Sequence, residues 1–119
     1  MIEKDFADRF AAEWIDAWNS HNLEAVLSHY TEDFEMTSPL IPLVTGEESG
    51  RLKGKETVGA YWAKALERIP NLHFDLISIL RGVKTITLYY QGHRGLSAEV
   101  FFFDETGKVF KAFAHYISI

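Results

Sequence analysis

After Pro70 the hydrophobic period of the chain changes, and this change constrains the fold more than any other feature of the sequence. Before Pro70, apolar residues recur at helical spacing. Ile2, Phe6, Phe10, Trp14 and Trp18 stand four apart, with Ala7, Ala11 and Ile15 beside them and charged residues on the remaining face. That pattern predicts a helix over 3–18. Asn22 fits the N-cap of a short second helix, with Glu24 in the first turn and Leu23, Val26, Leu27 and Tyr30 as its buried stripe. Val58, Tyr61, Trp62, Ala65, Leu66 and Ile69 predict a third helix over 55–69. Beyond Pro70, segments 72–80, 85–91, 96–104 and 108–119 are rich in β-branched and aromatic residues, and short glycine-containing connections separate them. Such connections predict hairpins between neighbours. Helices followed by strands joined as hairpins make an α+β fold with an antiparallel meander.

Between these regions, Thr31-Glu32-Asp33 is expected to turn and Phe34 to Ser38 to form a short strand with Phe34, Met36 and Ser38 on one face. Pro39, Pro42, Gly46, Gly50 and Gly54 mark 39–54 as a loop, either a lid over a site or a surface connection. With 119 residues, the chain suits one domain spanning 1–119. It has no internal repeat and no low-complexity tract.

Composition excludes several function classes. No cysteine is present, which removes disulfides, thiolate metal sites and a cysteine nucleophile, and fits a reducing, cytoplasmic location. The charged start Met1-Ile2-Glu3-Lys4-Asp5 is unlike a signal peptide, and no stretch approaches the ~20 apolar residues of a membrane span. The net charge is −5, and the one basic cluster, Arg51, Lys53 and Lys55, follows Glu47-Glu48, so no nucleic-acid partner is expected. His73 and Asp75 share a strand face, either as a base with its orienter or as a surface pair. No histidine set has metal-ligand spacing and no glycine-rich phosphate loop exists, so neither a metal nor a cofactor is expected. Three Trp, five Tyr and nine Phe are more than a core this size needs, which favours a small hydrophobic molecule as partner. The last strands are apolar on both faces: Phe101 and Phe103 point one way, Val100 and Phe102 the other. Helices cover one face, so the outer face is expected to form a homodimer, unless loop 39–54 folds over it.

The run Trp14-Ile15-Asp16-Ala17-Trp18-Asn19-Ser20-His21-Asn22-Leu23-Glu24-Ala25-Val26 resembles the opening helix pair of SnoaL-like domains, in the nuclear transport factor two-like superfamily. Tyr30-Thr31-Glu32-Asp33-Phe34 and Leu52-Lys53-Gly54-Lys55-Glu56-Thr57-Val58, running into Tyr61-Trp62, are similar to the steps that follow. The resemblance covers nearly the whole chain. It implies a cystatin-like α+β cone, usually dimeric, with N-terminal helices packed in the concave face of a curved, mostly antiparallel sheet around an apolar pocket. The superfamily holds isomerases, cyclases and dehydratases as well as members without known chemistry, so the fold does not choose a reaction. Ketosteroid isomerases of the superfamily use an Asp base before a proline, a Tyr donor on the first helix and an acidic donor on the penultimate strand. The matching positions here are Ser38, Trp14 and Glu99. One of three survives, and steroid isomerisation is disfavoured.

Glu99 is the expected catalytic acid, because strand parity turns it into the cone with Phe101 and Phe103, where desolvation raises a carboxyl pKa. The bland reading is a solvated glutamate at the cone mouth. The expected ligand-binding set is Trp14, Trp18, Tyr30, Phe34, Met36, Ser38, Tyr61, Trp62, Phe101, Phe103, Ala114 and Tyr116. For the tyrosines, a hydroxyl satisfied within the core is the competing expectation, and for the other aromatics, plain core packing. Two functions are left open: a ligand-binding domain, or an isomerase, cyclase or dehydratase moving a proton on Glu99.

Overall fold

In the computed structural model, which describes residues 1–119, the first helix is α1 (Lys4–Asn19). It buries Ala7, Phe10, Ala11, Trp14, Ala17 and Trp18, the stripe that the four-residue spacing predicts. Its end is a Schellman motif. Asn22 N donates to Ala17 O (2.9 Å), His21 N donates to Trp18 O (3.0 Å), and His21 itself takes the left-handed φ of 57°. Asn22 then caps α2 (Leu23–Leu27), its side chain accepting from Ala25 N at 3.0 Å.

The strands are β1 (Tyr30–Thr37), β2 (Arg51–Lys53), β3 (Asp75–Arg81), β4 (Thr85–Gly92), β5 (Gly95–Phe103) and β6 (Val109–Tyr116). They form one unclosed sheet in the order β2-β1-β6-β5-β4-β3. The meander β3-β4-β5-β6 is antiparallel throughout, and β1 joins its end by pairing parallel to β6. This is the cystatin-like α+β cone.

Two local expectations are corrected. The strand expected to begin at Phe34 begins at Tyr30, and Thr31-Glu32-Asp33 lies inside it. Tyr30 pairs with Val109 and Glu35 with Lys111, so the extra residues bulge out of the ladder. Their turn-forming composition is spent on the bulge. The 39–54 loop carries helix α3 (Leu40–Thr45) and strand β2, which pairs with β1 through Met36 and Leu52. Elements this short have too few residues to show a period. The segment does not fold over the outer sheet face: Ile41 is buried, Gly50 packs against Ser38 and Pro42, and Leu40 reaches the interior cavity described below.

The remaining helix, α4 (Lys55–Arg68), buries Val58, Gly59 and Trp62. Gly59 allows close approach, since a Cβ there would stand 3.1 Å from Leu27 Cδ1. On β5, Ser97, Glu99, Phe101 and Phe103 are buried while Ala98, Val100 and Phe102 on the outer face are half-buried. That outer face is apolar across strands: Val100 pairs with Phe113, and Phe102 meets Phe113 and Phe110 at ring centroids of 5.8 and 6.3 Å. No helix is long and apolar enough to cross a membrane.

Candidate functional site

The hairpin of β4 and β5 is where the site begins. His93 and Arg94 form its turn, and Gly92 pairs with Gly95, which takes φ +101°. This register sets Tyr90 opposite Ser97 and Leu88 opposite Glu99. Tyr90, Ser97 and Glu99 all face inward and are buried. Tyr90 therefore lies diagonal to Glu99 on the same face, within reach for a long side chain. Its hydroxyl donates to Glu99 Oε1 at 3.2 Å. Glu99 Oε2 has no hydrogen-bond partner in the protein.

Above these residues lies a cavity of about 120 Å³. α1 contributes Trp14 and Trp18, α4 contributes Tyr61 and Trp62, and β1 with the residue after it contributes Met36 and Ser38. Leu72 and Phe74, in the strap between α4 and β3, close one side. The strap is fastened to the end of α1. Asn19 Nδ2 donates to Phe74 O (2.9 Å), Phe74 N donates to Asn19 Oδ1 (2.7 Å), and His21 Nε2 lies 2.9 Å from Leu72 O.

Burial pushes the Glu99 carboxyl up to about 7, opposed in part by the Tyr90 hydrogen bond. No cation neutralises it. It is surrounded by phenols instead: Tyr30, Tyr61, Tyr90 and Tyr116 are all raised above the ordinary tyrosine value, mainly by burial, with the negative charge of Glu99 adding to each. For Tyr116 the neighbouring Ser38 hydroxyl acts in the opposite direction, and for Tyr61 and Tyr116 so does the Arg94 guanidinium. A carboxyl with this pKa can donate or accept a proton near neutrality.

Of the residues expected at the site, Glu99, Trp14, Trp18, Met36, Ser38, Tyr61, Trp62 and Tyr116 line the cavity. Five do not. Tyr30 and Phe34 stack on one another at 4.3 Å and against Trp62, and the Tyr30 hydroxyl accepts from Trp14 Nε1 at 3.0 Å. The same bond removes the Trp14 N–H as a ligand donor. Phe101 and Phe103 pack edge-on against Phe10 at 4.9 and 5.0 Å, filling the other end of the cone. Ala114, opposite Glu99, is buried but too short to reach the cavity. Strand parity chooses the face a side chain points to, not the depth at which space remains.

Sequence reasoning missed Tyr90, Phe74 and Arg94. Tyr90 was within reach, because the hairpin register alone sets it across from Ser97 and beside Glu99. Phe74 falls in the segment 72–80 expected as strand, but β3 begins only at Asp75 and residues 72–74 belong to the strap before it; Arg94 lies in a turn, where no periodicity exists to read. His73 and Asp75 form an exposed pair at 3.1 Å, away from the cavity. No three His, Asp or Glu side chains converge on a common point.

Comparison with known proteins places the chain among relatives. The SnoaL-like domain family matches residues 11–117. A SnoaL-like protein of unknown function from Burkholderia thailandensis is 53% identical, superposes with a TM-score of 0.96 and matches over 98% of both chains. A protein with a ketosteroid isomerase-like fold from Catenulispora acidiphila, solved in complex with trimethylamine, is 18% identical with a TM-score of 0.71 over 89% of this chain and 83% of its own. A candidate isomerase of the SnoaL-like family from Agrobacterium tumefaciens is 14% identical with a TM-score of 0.72 over 92% and 96%. These last two share the fold alone. No curated protein matches.

Proposed function

The chain belongs to the SnoaL-like domain family, and on that footing we propose that its cavity binds a small, mostly apolar molecule through an oxygen that meets the Glu99 carboxyl. The observation that carries this reading is the state of Glu99: buried in an aromatic-lined cavity, one oxygen held by Tyr90 and the other without a protein partner. That second oxygen is not fully enclosed, so it is open to the cavity, where a ligand oxygen can become its hydrogen-bond partner. Below about 7 the carboxyl is protonated and donates to a carbonyl; above that value it is ionised and repels one. Tyr30, Tyr61, Tyr90 and Tyr116, the phenols around it, stay protonated through this range, and His93 and Arg94 are the remaining titratable groups on the cavity lining.

The test is binding of small aromatic ketones followed by the fluorescence of Trp14, Trp18 and Trp62. Affinity should fall as pH rises through about 7. Glu99→Gln, which keeps a donor, should bind with no such dependence. An affinity independent of pH in the native protein would remove Glu99 from the reading.

One observation favours a second reading, proton transfer in a reaction of the isomerase, cyclase or dehydratase kind. The Glu99 pKa of about 7 suits both donation and acceptance. Glu99→Gln would then keep ligand binding and lose turnover. Ketosteroid isomerisation is not proposed, because Ser38 stands at the base position and its hydroxyl already accepts from Leu40 N at 3.2 Å.

We also propose that a second copy of the chain covers the outer sheet face. Val100, Phe102 and Phe113 form its apolar centre, and Phe110 and Leu80 beside it are 40% and 58% exposed. Sedimentation should give twice the chain mass, and Phe113→Asp should shift it to the monomer. A monomer in the native protein at micromolar concentration overturns this.

A further inference from the structure

The cavity is bordered by one permanently charged cation, Arg94, with His93 beside it in the same turn, and nothing in the protein is paired with the guanidinium. Arg94 lies in the two-residue turn between β4 and β5, and its side chain reaches the cavity lining. It makes no ion pair and no side-chain hydrogen bond, although the chain carries more acidic than basic residues. At Gly92, which opens the turn, a Cβ would stand 3.1 Å from Ser97 Oγ and 3.2 Å from Tyr90 Cε2, so the turn sits directly on the tyrosine that holds Glu99. The Arg94 charge reaches the hydroxyls of Tyr61 and Tyr116, where it favours the ionised phenol, but it contributes nothing to the state of Glu99. Acid and base thus occupy different parts of one cavity, Glu99 in the buried wall and Arg94 at the exposed turn.

A second polar group is unused. Trp18 lines the cavity, is 5% exposed, and its indole N–H is the one buried side-chain polar atom with no acceptor in the protein. Arg94, exposed at the turn, and the Trp18 N–H, buried in the wall, are donors without an acceptor in the protein at two places along one cavity.

We infer that the turn bearing Arg94 is an anion subsite, and that the ligand is an amphipathic carboxylic acid whose apolar body fills the aromatic cavity while its carboxylate stays at the turn against the guanidinium. This rests on the ligand-binding reading above and specifies its substrate class. A planar guanidinium matches a carboxylate in a two-point contact, and the Tyr61 and Tyr116 hydroxyls beside it are further donors to the same group. The geometry also separates the ligand's charge from Glu99, which stays available for a second oxygen on the body.

The experiment uses matched probes on the full chain: phenylacetate, 3-phenylpropanoate and 4-phenylbutanoate, each against its neutral amide, titrated at pH 6 and low salt by tryptophan fluorescence and calorimetry. At least one acid should bind roughly five- to tenfold more tightly than its amide, the range of one charge-assisted contact at a partly exposed site. The preference should shrink with added salt. Arg94→Gln, alone and combined with His93→Gln, should abolish the preference by weakening the acids far more than the amides, with the melting temperature unchanged, and Arg94→Lys should restore part of it. Acids and amides binding equally, or a preference that survives Arg94→Gln, overturns the anion subsite and leaves the ligand-binding reading intact. Failure of every acid and every amide to bind at millimolar concentration overturns that reading as well.

Discussion

One strand, β5, runs through both ends of the cone and behaves differently in each. Toward its C-terminal end, Phe101 and Phe103 interlock with Phe6 and Phe10 of α1, four rings meeting edge-to-face within about 5 Å of one another. Toward its N-terminal end, on the same face and equally buried, Ser97 and Glu99 border a cavity of about 120 Å³. Apolar packing holds the closed end. The open end adds specific hydrogen bonds, from Tyr90 to Glu99 and from Asn19 and His21 to the strap, to the ring contacts of Phe74 with Trp14, Trp18 and Tyr90. A site needs space and unsatisfied polar groups, and both weaken packing, so stability is concentrated at one end and binding at the other.

The largest effect should come from truncating the closed end. Phe101 is fully buried, and Phe101→Ala should cost about 3–5 kcal/mol in urea unfolding. The same truncation of half-buried Tyr61, at the open end, should cost about 1–2 kcal/mol, because part of its surface is already wet. Equal costs would break the contrast.

The open end's share of the pH dependence of stability is the difference between the native protein and Glu99→Gln, because His29, held below the ordinary histidine value mainly by burial beside Phe10, contributes with the opposite sign. Glu99 has a folded pKa of about 7, above its ordinary value of 4.5. The native state therefore holds this proton more tightly than the unfolded chain does. The protein should be most stable below about 4.5 as far as this group is concerned, lose stability as pH rises toward 7, and level off above it. The full difference is roughly 3 kcal/mol. Glu99→Gln should remove this slope and be the more stable protein at pH 8. Two identical pH profiles would mean that Glu99 is not desolvated in solution.

Smaller still are the fasteners of the strap. Asn19→Ala removes both bonds to Phe74 and should cost about 2 kcal/mol, with a loss of near-ultraviolet tryptophan signal that Phe103→Leu, whose ring neighbours are Phe6 and Phe10, does not produce. At His21, Ala should cost about 1 kcal/mol by losing the Leu72 contact. His21→Gly should cost less than Ala, because glycine relieves the φ of 57°. A neutral Asn19→Ala would show that packing, not polar contacts, holds the open end too.

The amino-acid sequence by itself determined what repeats. A stripe at four-residue spacing makes α1, alternation makes β4 to β6, and glycine connections join them as hairpins, because each is a local consequence of backbone geometry. It likewise determined that Glu99 faces inward with Phe101, since parity cannot be altered without reversing the whole strand. Tertiary structure decided everything that depends on depth and on distant pairing. It turned Thr31-Glu32-Asp33 into a bulge through the parallel partner β6. It gave the Trp14 N–H to Tyr30 and left that of Trp18 without an acceptor. It filled the space beside Phe101 and left the space beside Glu99 open, because which side chains from α1, α4 and the strap meet there is a matter of how whole elements pack, and no local pattern carries that information.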